Sequence, residues 1–193
     1  VSRREMARFG FALLFIIAVM LVVDAMHLVE GHGNLLLVVE AMIGGYMALN
    51  IGANDVANNV GPAVGARAIT LTGAIIIAAI FESAGAIIAG GEVVTTIKNG
   101  IIDPKQIADV ELYVYAMLAA LLAAAIWLNL ATAMGAPVST THSIVGAVLG
   151  AGIAAGGWHI VNWSSMGAIA ASWVVSPLLG GLIAALFLFW IKR

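Results

Sequence analysis

Gly52-Ala53-Asn54-Asp55-Val56-Ala57-Asn58-Asn59-Val60-Gly61 stands at the end of an apolar run that begins at Leu35. A carboxylate and three amides close a stretch long enough to enter a bilayer. Polar groups at membrane depth cost several kcal/mol, so they usually line a site or a pathway. Asn54 and Asn58, four apart, share one face if the segment is helical, with Asp55 beside them. Gly52 before the cluster and Gly61-Pro62 after it argue against an unbroken helix. Polar side chains at a helix break inside a membrane are the build of an ion or solute site in a transporter.

The surrounding chain fits that setting. A soluble domain carries about 25% charged residues, whereas here 9% of 193 residues are charged, 63% are hydrophobic and mean hydropathy is +1.09. The expected fold is an all-α polytopic membrane protein. A net charge of −2 and the lack of a basic run give no footing for nucleic acid. There is no cysteine, which excludes disulfides and thiolate metal sites. Spans of roughly 20 apolar residues are expected at Phe9 to about Val29, Leu35 to about Asn50, Ile69 to Ala89, Leu112 to Met134 and Met166 to Ile191, with a short glycine-rich segment at Val138 to Ala155. That makes about five to six transmembrane or re-entrant segments. Glu30 to Asn34, Gly61 to Ala68 and Gly156 to Ser165 read as loops or turns, and Gly90 to Glu111 as an exposed loop. Arg3, Arg4 and Arg8 place the N-terminus in the cytoplasm, and the Gly90–Glu111 loop, poor in Lys and Arg, falls outside. The expected location is an integral, multi-pass position in the cell (inner) membrane. No internal repeat is visible, and the chain reads as one half of a longer protein.

Gly135-Ala136-Pro137-Val138-Ser139-Thr140-Thr141-His142-Ser143 opens the short segment. Proline followed by hydroxyls predicts a helix start, with Ser139 or Thr140 as N-cap. Free N–H groups at such a start form an anion site, to which the hydroxyls add neutral donors. Capping alone needs one hydroxyl rather than four. Ser139 and His142 lack a nearby orienting carboxylate, so an enzyme is not expected. In the first cluster Asp55 with Asn50, Asn54 and Asn58 offers the oxygen ligands a hard cation prefers, while the same amides could join helices. Glu82, alone within the third span, suits either a cation or proton ligand or a hydrogen-bonded neutral acid. Gly61 with Gly65, Gly146 with Gly150, and Gly152 with Gly156 have the spacing of close helix contacts.

Together these stretches resemble the inorganic phosphate transporter (PiT) family of cation–phosphate symporters. The similarity lies in Gly52-Ala53-Asn54-Asp55-Val56-Ala57-Asn58, Phe81-Glu82-Ser83-Ala84-Gly85, Thr95-Thr96-Ile97-Lys98-Asn99-Gly100-Ile101-Ile102-Asp103, Pro137-Val138-Ser139-Thr140-Thr141-His142-Ser143 and Ser172-Trp173-Val174-Val175-Ser176-Pro177. The resemblance implies two inverted repeats with the site where they meet. Residues 35–193 would be the first repeat, 1–34 a cytoplasmic N-terminus with an additional helix, and the second repeat, absent from this chain, a partner. It further implies secondary active transport of inorganic phosphate with sodium or protons as the co-transported ion, no cofactor, contact with membrane lipid, and a homodimer. Phosphate is then expected at Asp55, Asn58, Ser139, Thr140 and Thr141, and the cation at Asn54, Asp55, Asn58 and Glu82. Alternatives on the same residues are a sulfate or metal–phosphate permease, or a non-transporting membrane scaffold subunit.

Overall fold

The structure, a computed structural model, describes residues 3–26, 28, 32–107 and 109–192. Helix α1 spans Arg3–Met26, and α2 spans His32–Ile51. At 24 residues, α1 is about 36 Å long, enough to cross a hydrocarbon core of about 30 Å. Asn34 Nδ2 donates to the Asp24 carboxylate at 3.1 Å, linking the end of α1 to the start of α2. The expected end of the first span at His27 and Val29, and Glu30-Gly31 of the following loop, lie outside the described residues.

After α2 the chain does not leave the helical path. One π turn, Gly52–Val56, leads into α3, Ala57–Gly65, which contains Pro62. The break expected at Gly52 and Gly61-Pro62 is therefore a widened turn inside a helical stretch running from Gly33 to Gly65. An extra residue in one turn shifts the face of all that follows, and π turns of this kind gather at functional sites. Of the turn expected over Gly61 to Ala68, the first five residues belong to α3. Arg67, with φ 59°, ends the helix, and the Ala68 N–H reaches the Ala63 carbonyl at 2.9 Å, a Schellman-type close.

Helix α4, Leu71–Thr95, starts at Thr70, whose hydroxyl accepts from the Gly73 N–H at 3.1 Å. It continues into a second π turn at Thr96–Gly100. The exposed loop expected over Gly90 to Glu111 is thus mostly helix. Its remainder is not a free loop either, because Ile101 and Ile102 are fully buried. The charges there are interleaved with Val93, Val94, Ile97, Ile101 and Ile102, and the isoleucines outweigh them. Asp103 caps the short 3-10 turn Pro104–Gln106, accepting from Gln106 Nε2 and the Lys105 N–H.

Helix α5, Val110–Ala133, and helix α6, Thr140–Gly156, form a hairpin. Alanines make the approach close: Ala120 of α5 is buried with Val145 and Val148 of α6, and Ala124 and Ala125 of α5 pack against Ile144 and Ala147. Helix α2 packs on another side of α5, burying Met47 with Leu128, Ala124 and Ala125. Gly152 and Gly156 are true contact glycines, since a Cβ on Gly152 would stand 2.5 Å from Ile102 Cγ2 and one on Gly156 2.9 Å from Ile160. Gly61, Gly65, Gly146 and Gly150 face open space.

Helix α7, Trp163–Ile191, is capped by Asn162 and runs unbroken through Pro177. Before it, Ile102 and Val161 form an isolated antiparallel bridge, with the Asp103 N–H on the Ile160 carbonyl at 2.8 Å and the Asn162 N–H on the Ile101 carbonyl at 2.9 Å. The bridge gathers the end of α4, the start of α5, the end of α6 and the start of α7 at one end of the molecule. Trp158 and Trp163 stack there, 5.9 Å apart, at a place suited to a membrane interface. Among the described residues, five helical stretches are long and apolar enough to cross a membrane, and α6, with 17 residues, is shorter.

Candidate functional site

The two polar signatures, more than eighty residues apart, meet in the structure. Asn54, 5% exposed within the first π turn, is the joint. Its Nδ2 donates to Thr132 Oγ1 and to the Ala136 carbonyl, both at 3.1 Å. Its Oδ1 accepts from Asn58 Nδ2 at 3.1 Å and from the Val138 N–H at 3.3 Å. One amide therefore holds the turn that carries Asp55 against the loop that delivers Ser139. All four hydrogen-bonding positions of an amide are donors or acceptors of this kind, and Asn54 uses its side-chain oxygen twice. The oxygen expected to face a cation is occupied by protein donors.

A second amide pair lies one turn earlier. Asn50, also 5% exposed, donates to the Tyr46 carbonyl at 2.8 Å and accepts from Asn129 Nδ2 at 3.0 Å. Thr132 in turn donates to the Leu128 carbonyl at 2.8 Å. Asn50 and Asn54 thus knit α2 and its π turn to α5. Asn129 and Thr132 were absent from the expected site, although two polar residues three apart inside an apolar run were a legible signal.

Asp55 is partly buried on the π turn, and neither a hydrogen bond nor an ion pair engages its carboxylate among the described residues. Asn58 is exposed apart from its bond to Asn54. Glu82 is exposed within α4, makes no hydrogen bond with the other site residues, and does not line the cavity described next.

Ser139 is the N-cap of α6, as its sequence context predicts, accepting from the His142 N–H at 3.3 Å. Ser143 donates back to the Ser139 carbonyl at 2.8 Å. The Thr140 hydroxyl oxygen is enclosed and lacks a hydrogen-bond partner. Ser139, Thr141 and His142 line a cavity of about 620 Å³. Its other walls come from the end of α4 with the second π turn (Glu92, Thr96, Ile97) and from α7 (Ser172, Trp173, Ser176). The His142 ring stacks on Trp173 with centroids 3.9 Å apart and planes 29° from parallel. Glu92, Trp173 and Ser176 were not expected at the site; Trp173 and Ser176 stand in one of the resembling stretches, and Glu92 just outside another.

Membrane-length helices define a multi-pass integral membrane protein, with two π turns and carboxylate and hydroxyl groups collected at helix breaks. The sequence profile of the phosphate transporter family matches residues 51–193. The chain is 55% identical over 194 residues to a Helicobacter pylori protein named "Putative phosphate permease", covering 99% of this chain and 36% of that protein. A Pyrococcus abyssi protein of the same designation is 48% identical over 157 residues, covering 81% of this chain and 39% of the relative. A solved structure titled "The sodium-dependent phosphate transporter" superposes with a TM-score of 0.72 at 48% identity, over 76% of this chain and 36% of that one. This chain belongs to the phosphate transporter family. It spans about a third of the length of the relatives it matches.

Proposed function

We propose that the protein carrying this chain moves inorganic phosphate across the membrane by secondary active transport coupled to sodium. The observation that carries the proposal is the Asn54 clamp, which brings the Asp55 turn and the hydroxyl-headed start of α6 into contact. The anion is assigned to the α6 start and the hydroxyls of Ser139, Thr140 and Thr141, where N–H groups and the helix dipole favour negative charge. The cation is assigned to Asp55 with Asn58, on the turn that Asn54 ties to the loop before α6. Asn54, with its oxygen taken, positions rather than coordinates. Glu82 is assigned to the face of α4 that meets the rest of the longer protein.

The chemistry suits reversible binding. Neither signature contains Lys or Arg, and a fixed cation would hold phosphate too firmly to release it. A co-bound sodium ion supplies the same neutralisation and leaves with the substrate. Sodium is preferred to protons because the similar solved structure is titled sodium-dependent. Alternating access then moves one repeat against the other around the site.

Uptake of radiolabelled phosphate into liposomes holding the full-length gene product tests this. Uptake driven by an inward sodium gradient, and not by a proton gradient alone, is the expected result. Uptake driven only by protons would overturn the co-ion. No uptake of phosphate under either gradient by folded protein, with sulfate taken up instead, would overturn the substrate.

A further inference from the structure

The cavity at the start of α6 holds a carboxylate where an anion site would be expected to have none. Glu92 lies one turn before the second π turn, and its backbone carbonyl accepts from the Thr96 hydroxyl at 3.0 Å. Glu92 is exposed on α4 and lines the cavity with Ser139, Thr141 and Ser176, and its carboxylate has neither a hydrogen bond nor an ion pair among the described residues. Hydroxyl groups line the same space. Ser139 Oγ accepts from the His142 N–H, which leaves its proton to give. Neither Lys nor Arg lines this space, and Glu92 and His142 are its titratable groups.

We infer that Glu92 is a specificity residue, selecting a protonated oxyanion against a fully ionised one of the same size. The inference rests on the phosphate assignment above. At neutral pH phosphate is a mixture of monoanion and dianion, with at least one P–OH and one or two negative charges shared among its other oxygens. The hydroxyls lining the cavity can donate to the ionised oxygens, while the P–OH donates to the Glu92 carboxylate. Sulfate has the same tetrahedral shape and no proton to give. Against it the carboxylate is an unpaired acceptor facing a negative oxygen. A site built to pair with a substrate hydroxyl rejects the analogue that lacks it far more strongly than a shape-fitting pocket can. The carboxylate excludes the competitor, which is how much specificity is achieved.

Competition against radiolabelled phosphate uptake, in proteoliposomes holding the full-length gene product, tests the assignment. Arsenate carries the acidic hydroxyl; sulfate and fluorophosphate at neutral pH do not. The wild-type protein is expected to be inhibited by sulfate and by fluorophosphate at least about tenfold less well than by arsenate. In Glu92→Gln, of equal size but able to donate, the sulfate-to-arsenate ratio of inhibition constants should fall about tenfold. Glu92→Asp should keep much of the wild-type ratio. Equal inhibition by sulfate and arsenate in the wild type overturns the inference without needing any variant. So does a Glu92→Gln protein whose KM for phosphate changes while the ratio stays fixed. Absence of phosphate uptake by the folded wild type is a separate failure, which brings down the transport assignment and this inference with it.

Discussion

Asn54 and Asp55 are neighbours in sequence with opposite situations in the fold. Asn54 is buried and hydrogen-bonded on both sides of its amide, and Asp55 is partly exposed and, among the described residues, unengaged. Their substitutions should separate accordingly. Asn54→Ala strips partners from the Ala136 carbonyl, the Val138 N–H and Asn58 at once. A buried group left unsatisfied costs about 1–3 kcal/mol, so a fall in melting temperature in detergent is expected, with uptake lost as a consequence. Asp55→Asn should melt like the wild type and lose sodium-driven phosphate uptake. Equal melting of wild type and Asn54→Ala would show that the clamp carries no structural weight. That polar groups belong at these positions was legible from the sequence, because amides are costly in lipid wherever they stand. Which amide ties helices and which group stays open was not legible, because that depends on Thr132, Ala136 and Val138, far away along the chain.

At the scale of elements, the bridge between Ile102 and Val161 holds four helix ends together. Gly152 is the close point, with Ile102 Cγ2 where a Cβ would go. Gly152→Ala should destabilise by about 1–3 kcal/mol through overpacking. Ile102→Ala should recover part of that loss in the double variant, giving a non-additive pair by thermal unfolding. The 3-10 turn beside it has its own pH response. Asp103 is held below the ordinary carboxylate range by the Gln106 amide first and the Lys105 N–H second. Its ionised form is favoured by the fold, so its contribution is complete above the ordinary value of about 3.9 and is lost as pH falls through the lowered value. Amide exchange at Lys105 and Gln106 should quicken in that acid window, and Asp103→Asn should abolish the dependence. Helix starts at Thr70, Asp109, Ser139 and Asn162 follow from local capping chemistry. The two π turns do not, because the sequence shows only that a regular helix is strained there, and a wide turn answers that strain as well as a loop does.

For the whole molecule, α4 and α7 bury little against the rest of the chain, with Ala74 the buried residue on α4 and none on α7. Apolar faces of this kind meet lipid or other helices, but Glu82 on α4 would be costly against lipid alone. The 193-residue span in liposomes is therefore expected to insert and to give no sodium-driven phosphate uptake, whereas the full-length gene product does; uptake by the span alone would refute the need for the remaining two thirds. Composition by itself determined a polytopic helical membrane protein, since no aqueous fold tolerates so few charges, and capping and hydroxyl chemistry marked the start of α6. Only the tertiary structure decided that the Asn54 turn and the Ser139 loop touch, that Ile101 and Ile102 are core rather than loop, and that Glu92 shares a cavity with Ser139. Each of these joins residues distant in sequence, and the packing of separate helices against one another creates it. Local preference has no means of encoding it.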